Sequence, residues 1–173
     1  PASIAGAVTI SAETINLNTS VTSTGNQTYN GGVQLGVNVT ATGQNVIFNG
    51  TVNGGFALTV NTAGNTTFGG VVGGTTPLVS ITTDALGTTT LNTTAISTSG
   101  IQAYADSVTL GASTTLTATN VNLTGATVNL ATNTLTVNVT GTTSSITGMV
   151  SGNGGLNKNG AGTLLLNGVN AYT

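Results

Sequence analysis

One small unit recurs along this chain: an apolar residue, any residue, a second apolar residue, then a turn former. It occurs as Val8/Ile10, Ile15/Leu17, Val33/Leu35, Val46/Phe48, Leu58/Val60, Val108/Leu110, Val121/Leu123, Val128/Leu130, Leu135/Val137 and Leu164/Leu166. Alternation with period two over so few residues describes a short β-strand with one buried face. Turn formers divide the doublets: Gly31-Gly32, Asn49-Gly50, Asn53-Gly54-Gly55, Gly69-Gly70, Gly73-Gly74, Asn153-Gly154-Gly155 and Asn159-Gly160. No segment carries the 3.6-residue period of an amphipathic helix, and Thr, Val, Asn and Gly are poor helix formers. The expected class is all-β.

The strands are too short for a conventional sandwich, but their spacing is regular. Doublets begin at Val121, Val128 and Leu135, seven residues apart. Three such sides close one turn of roughly 20 residues, the scale of a solenoid repeat. Stacked turns let every short strand pair with the strand above and below it, which satisfies the backbone. The expected architecture is a right-handed parallel β-solenoid of about 19–22 residues per turn, continuous over residues 1–173. Residues 19–42 resemble residues 94–119: Thr19 to Tyr29 aligns with Thr94 to Tyr104, Leu35-Gly36 with Leu110-Gly111, and Val39 to Thr42 with Leu116 to Thr119. The offset of about 75 residues reads as close to four turns of about 19.

Composition then limits function. Glu13, Asp84, Asp106 and Lys158 are the only charged side chains in 173 residues, and there is no Arg, His, Cys or Trp. Side-chain catalysis draws on titratable groups and metal sites on His, Cys or clustered carboxylates. The expectation is a non-enzymatic structural protein with no catalytic residue, no cofactor and no metal site. A net charge of −2 gives no reason to bind nucleic acid, and no apolar run is long enough for a membrane helix. Asp84 and Asp106, 22 residues apart, would fall on neighbouring turns, as a glycosidase pair would need. Their local context instead reads as solvated turns. Lys158 reads as a turn or edge residue. The Gly-Gly-x-Gly-x-Asp repeat of calcium β-rolls is absent. Thr22/Thr24, Thr40/Thr42, Thr88/Thr90 and Thr115/Thr117/Thr119 form the T-x-T pairs of an ice-binding face, but at no fixed period. Tyr29, Tyr104 and Tyr172 invite a carbohydrate-stacking reading, though the matched repeat positions of Tyr29 and Tyr104 favour a structural role. Phe48, Phe56 and Phe68 read as core or end-cap residues. The Asn-x-Ser/Thr triplets are those expected by chance from so much Asn and Thr.

Residues 151–173, from Ser151-Gly152-Asn153-Gly154-Gly155-Leu156-Asn157-Lys158 through Gly160-Ala161-Gly162-Thr163-Leu164-Leu165-Leu166 to Asn170-Ala171-Tyr172-Thr173, carry the most specific motif. They resemble the autotransporter-associated β-strand repeat, with its G-x-G-G-L-x-K-x-G-x-G-T-L-x-L-x-G-x-N-x-Y-T pattern. The preceding residues are more loosely similar to the Thr/Asn-rich repeats of filamentous-haemagglutinin-like bacterial surface proteins. The resemblance implies a secreted protein of the β-helix passenger type, located outside the cell or on the bacterial surface, with no catalytic residues to transfer. A start at Pro1 with neither Met nor leader reads as a segment of a larger secreted protein. The expected role is a self-assembling filament or surface-layer subunit. The alternatives are a passive stalk segment of a giant adhesin and, third, an ice-binding Thr-rich solenoid. The expected partners are copies of the chain joined by end-to-end strand pairing, or neighbouring segments of one giant chain. Val8, Ile10, Leu164, Leu165 and Leu166 are the expected assembly edge, the two segments meeting across a subunit boundary.

Overall fold

Burial alternates along almost every strand. In Ala57–Thr62 every second side chain, Leu58, Val60 and Thr62, is buried, and the residues between them face outward. The computed structural model describes residues 3–172, and every regular element among them is a strand. The strands fall on three faces, visited in the same order on each coil. The first face stacks Ser3–Ile4, Val21–Ser23, Val39–Gly43, Ala57–Thr62, Ser80–Thr83, Gln102–Tyr104, Val121–Leu123, Thr143–Ile146 and Thr163–Leu166. The second stacks Val8–Ile10, Gln27–Tyr29, Val46–Phe48, Asn65–Phe68, Thr88–Leu91, Ser107–Leu110, Thr127–Asn129, Met149–Gly152 and Ala171–Tyr172. The third begins with Thr14–Leu17, Gly32–Leu35 and Val52–Asn53 and resumes with Ala95–Ser97, Thr114–Ala118, Leu135–Val139 and Leu156–Asn159. Val72 joins its two parts by single parallel bridges to Val52 and Ile96. The result is a parallel β-solenoid. Nine strands on a face, at about 4.8 Å per step, give a rod roughly 40 Å long.

Val121, Val128 and Leu135 lie on the first, second and third faces in turn, so the seven-residue step is one side of the coil. The turn length varies more than expected. Thr14 pairs with Gly32, 18 residues on; Val39 with Leu58, 19 on; Leu58 with Ile81, 23 on; and Val72 with Ile96, 24 on. The extra residues sit in corners, such as the Asp84–Gly87 bulge, where Leu86 is exposed.

The internal repeat is not four turns. Val21–Ser23 lies on the first face and its counterpart Ala95–Ser97 on the third; Gln27–Tyr29 lies on the second and Gln102–Tyr104 on the first. Gly32–Leu35 and Val39–Gly43 shift in the same sense, onto Ser107–Leu110 and Thr114–Ala118. The offset is therefore one side short of four coils, and the copy is rotated by one face about the axis. At the Gly of each Leu-Gly pair an asparagine side chain of the preceding coil packs against the backbone, in the space a Cβ would take. A Cβ on Gly36 would stand 2.0 Å from Asn18 Oδ1, and one on Gly111 1.7 Å from Asn92 Oδ1.

The core is a set of columns, each formed by one inward position repeated coil after coil. The second face runs Ile10, Tyr29, Phe48, Phe68, Leu91, Leu110. Tyr29, Phe48 and Phe68 are fully buried. Their rings stack at centroid distances of 5.1 and 5.6 Å, nearly parallel. Phe56 departs from its expected place: it is 37% exposed at the corner before the first face, beside exposed Val79. Outside, corner asparagines form ladders. Asn49 donates to Asn30 at 2.6 Å and Asn30 to Ser11 at 3.1 Å, while Asn45 donates to Asn26 at 2.7 Å.

Candidate functional site

Polar side chains enter the core at defined points, and these hold nearly all the chemistry of the chain. Gln27 takes an inward position between Val8 and Val46 and is fully buried. Its Nε2 donates to the carbonyls of Val21 and Thr42 at 3.1 and 2.7 Å, and its Oε1 accepts from the Tyr29 hydroxyl at 2.8 Å. Gln102 repeats this clamp on another face. Its Nε2 donates to the Ile96 and Thr117 carbonyls at 3.1 and 3.0 Å, and its Oε1 accepts from Tyr104 at 3.1 Å. The preceding corners also match, with Ser23 donating to the Gly25 carbonyl and Thr98 to that of Gly100. The repeated segment is thus a corner clamp that ties two coils together. Both tyrosines are fully buried and cannot stack on a carbohydrate; the Tyr172 side chain lies outside the described residues. Burial pushes the Tyr29 hydroxyl up to about 12. Tyr104 is raised further by burial and then by the nearby Asp106 charge.

Asp106 is not a solvated turn residue. It is 2% exposed, because the in-out alternation of Gln102, Tyr104, Val108 and Leu110 runs through the corner and carries Asp106 inward with it. Thr83 donates to its Oδ1 at 2.7 Å, and Thr89 lies 2.9 and 2.8 Å from Oδ1 and Oδ2. Burial raises its pKa above the ordinary 3.8; the two threonines and its own backbone oppose the shift, and Asp84 adds to it. Asp84 is half-buried and caps the coil below, accepting from Thr62 N at 3.1 Å. Glu13 is exposed at a distant corner. The two aspartates therefore serve adjacent coils, one inside and one at the corner, rather than flanking a cleft. No pocket and no cluster of three His, Cys, Asp or Glu occurs among the described residues.

Lys158 stands in an inward column, paired with buried Val137. Its stem follows the column while its ammonium leaves at the corner, donating to the Asn159 and Gly160 carbonyls at 2.7 and 3.0 Å. The T-x-T pairs divide among the faces: Thr40/Thr42 on the first, Thr88/Thr90 on the second, Thr115/Thr117 on the third. Thr67, Thr90 and Thr109 do align in one outward column, hidden in sequence by unequal corners. Ile47 and Asn129 bound that run.

The expected assembly residues lie at the two ends of the stack. Val8 and Ile10 belong to the first strand of the second face; Leu164, Leu165 and Leu166 belong to the last strand of the first face. They do not share a face, so an in-register joint would set Thr163–Leu166 against Ser3–Ile4 and Ala171–Tyr172 against Val8–Ile10. Leu164 and Leu166 continue the inward columns of Ser144 and Ile146, whereas Leu165 follows Ser145 and faces outward. Thr163–Leu166 is the outermost described strand of its face, and Leu166 is 38% exposed. Comparison with protein-family models, with curated proteins and with solved structures gives no match.

Proposed function

We propose that this chain is a structural subunit of an extracellular bacterial filament or surface layer, extended end to end by other copies of itself. The observation that carries the reading is the parallel stacking itself, in which each strand pairs with the strand one coil before and one coil after it, a pattern that another copy could continue. Among the described residues the outermost strands pair on one side only; Leu166, at 38% exposure, tops the column of Ile146 and Leu123, and Ile4, at 40%, lies over Ser23. Open edges of this kind are templates for further strands. Set in register, a joint would continue each face of one copy into the same face of the next. The outer surface is neutral Thr, Asn and Ser, and with four charged groups in the chain such a joint would depend little on salt.

A second reading has its own support: the likeness of residues 151–173 to the β-strand repeat of autotransporter passengers favours a stalk in which further coils of one long chain cover these ends. Negative-stain microscopy and light scattering of the purified chain separate the two. Filaments of constant width, lengthening with concentration, support assembly. Single rods of about 40 Å at all concentrations refute it and leave the stalk.

A further inference from the structure

We propose that Asn159, Asn167 and Asn153, each followed by glycine in the last coil, are sites of spontaneous deamidation, and that the three Asn-Gly pairs of the early coils are protected by the fold. The inference rests on hydrogen-bonding geometry, not on assembly. In an Asn-Gly pair the glycine backbone nitrogen attacks the asparagine Cγ. The new N–Cγ bond closes a five-membered imide while the bond to the side-chain nitrogen breaks and ammonia leaves. Water then opens the ring at either carbonyl, giving aspartate or its iso form. The reaction needs the amide free to swing onto the following nitrogen.

The early pairs deny that freedom. The Asn30 amide donates to Ser11 and its oxygen accepts from Asn49 at 2.6 Å, which holds Asn49 as well. Asn53 Oδ1 accepts from Thr75 and Thr76 nitrogens at 3.0 and 3.4 Å, and the attacking nitrogen of Gly54 donates to Thr76. Each clasp joins neighbouring coils: the Asn30 and Asn49 amides reach a polar side chain on the coil before, and Asn53 takes backbone nitrogens from the coil after. Asn153, Asn159 and Asn167 are exposed, and their amides make no hydrogen bond among the described residues. Beside Asn159, Gly160 is itself exposed, with a φ of 82°. Deamidation would add up to three carboxylates to the last coil of a chain whose net charge is −2, on the edge where a further coil would pair.

The test is ageing of the purified single-rod fraction at mildly alkaline pH and 37 °C, followed by proteolysis and mass spectrometry for the NH2-to-OH mass gain at all six asparagines. A parallel sample in concentrated urea gives the rates without the fold. The expected result is similar rates at all six sites in urea. In the folded chain, Asn30, Asn49 and Asn53 should react roughly tenfold more slowly than Asn153, Asn159 and Asn167, because clasped amides must first open. Equal rates at early and late pairs in the folded chain, or protection of the late pairs as strong as that of the early ones, would overturn the proposal. Replacing Asn49 with Ala removes the donor to Asn30 and should speed Asn30 selectively; an unchanged Asn30 rate would also overturn it.

Discussion

Removing the ring of Phe48 tests whether the aromatic column holds the early coils together. The side chain is fully buried, with Tyr29 at 5.1 Å on one side and Phe68 at 5.6 Å on the other. Phe48→Ala loses the transfer free energy of the ring and leaves a hole that rigid neighbouring strands cannot close, a combination that costs about 3–5 kcal/mol. The two stacked pairs account for about 0.5–1.5 kcal/mol each of that loss. Phe48→Leu is the informative companion. The same column continues as Leu91 and Leu110, so leucine is already an accepted shape there, and the cost should fall to about 1–2 kcal/mol, the stacking lost but most of the volume kept. Urea titration followed by circular dichroism gives both values if the slope of the transition is unchanged.

Because each coil touches only its neighbours, the loss should also be local. Amide exchange should speed first in Val21 to Phe68 and least beyond Thr114. A cost for Phe48→Ala below about 1 kcal/mol, outside the range for filled core sites, would refute the argument. So would equal costs for Ala and Leu, since the reasoning ranks them by residual volume.

Three further outcomes follow from the polar core and the ends. Asp106 has a raised pKa, so its contribution to stability is fully present below the ordinary 3.8 and is lost as pH rises through the folded-state value; Asp106→Asn should flatten that decline and raise the urea midpoint on the alkaline side, and an unchanged pH profile would contradict the assignment. Gln102→Leu leaves the buried Tyr104 hydroxyl without its acceptor and should cost about 1–3 kcal/mol, with Tyr104→Phe in the same chain recovering part of the loss; a strictly additive double variant would show that the two do not act as a pair. Leu166→Lys places a charge in the inward column at the outermost described strand of the first face and should abolish elongation while leaving the β spectrum intact; the outward-facing Leu165 makes the control, since lysine there remains solvated, and filaments persisting in Leu166→Lys would exclude end joining through the first face.

The sequence pattern locates strands whose inward positions are both large and apolar: Val33/Leu35, Val46/Phe48, Leu58/Val60 and Leu135/Val137 all lie on strands, whereas Val39–Gly43, with the small Ala41 inward, escapes it. It also misses those in which one inward position is polar. Gln27–Tyr29, Asn65–Phe68, Thr88–Leu91, Gln102–Tyr104 and Thr143–Ile146 place Gln27, Thr66, Thr89, Gln102 and Ser144 inside. Hydropathy scores such a residue as surface. Only the partner across the coil, a carbonyl or a hydroxyl brought there by stacking, makes it a core residue. Asp106 scores as a surface turn for the same reason. A signal does exist, because Gln102, Tyr104, Asp106, Val108 and Leu110 keep period two without a break, and an aspartate in phase with such a run points inward whatever its charge.

The rotated repeat shows what a corner clamp requires. The Gln27 and Gln102 clamps share the same internal spacings, with the glutamine reaching a carbonyl six residues back and another 15 residues on. Yet they occupy different corners of the rod. A clamp is therefore satisfied by its own coil and the next, and nothing about a particular face is needed. That follows from nearest-neighbour stacking, in which each coil meets only the one above and the one below. It also accounts for the tolerance of coils from 18 to 24 residues: an insertion swells a corner outward while the flanking strands keep their columns. What cannot vary is the in-out phase within a strand, since a one-residue slip would turn all of that strand's inward side chains to solvent. The selective constraint on such a chain then falls on phase and on the inward polar partners, and the outward positions are free to drift among Thr, Asn and Ser.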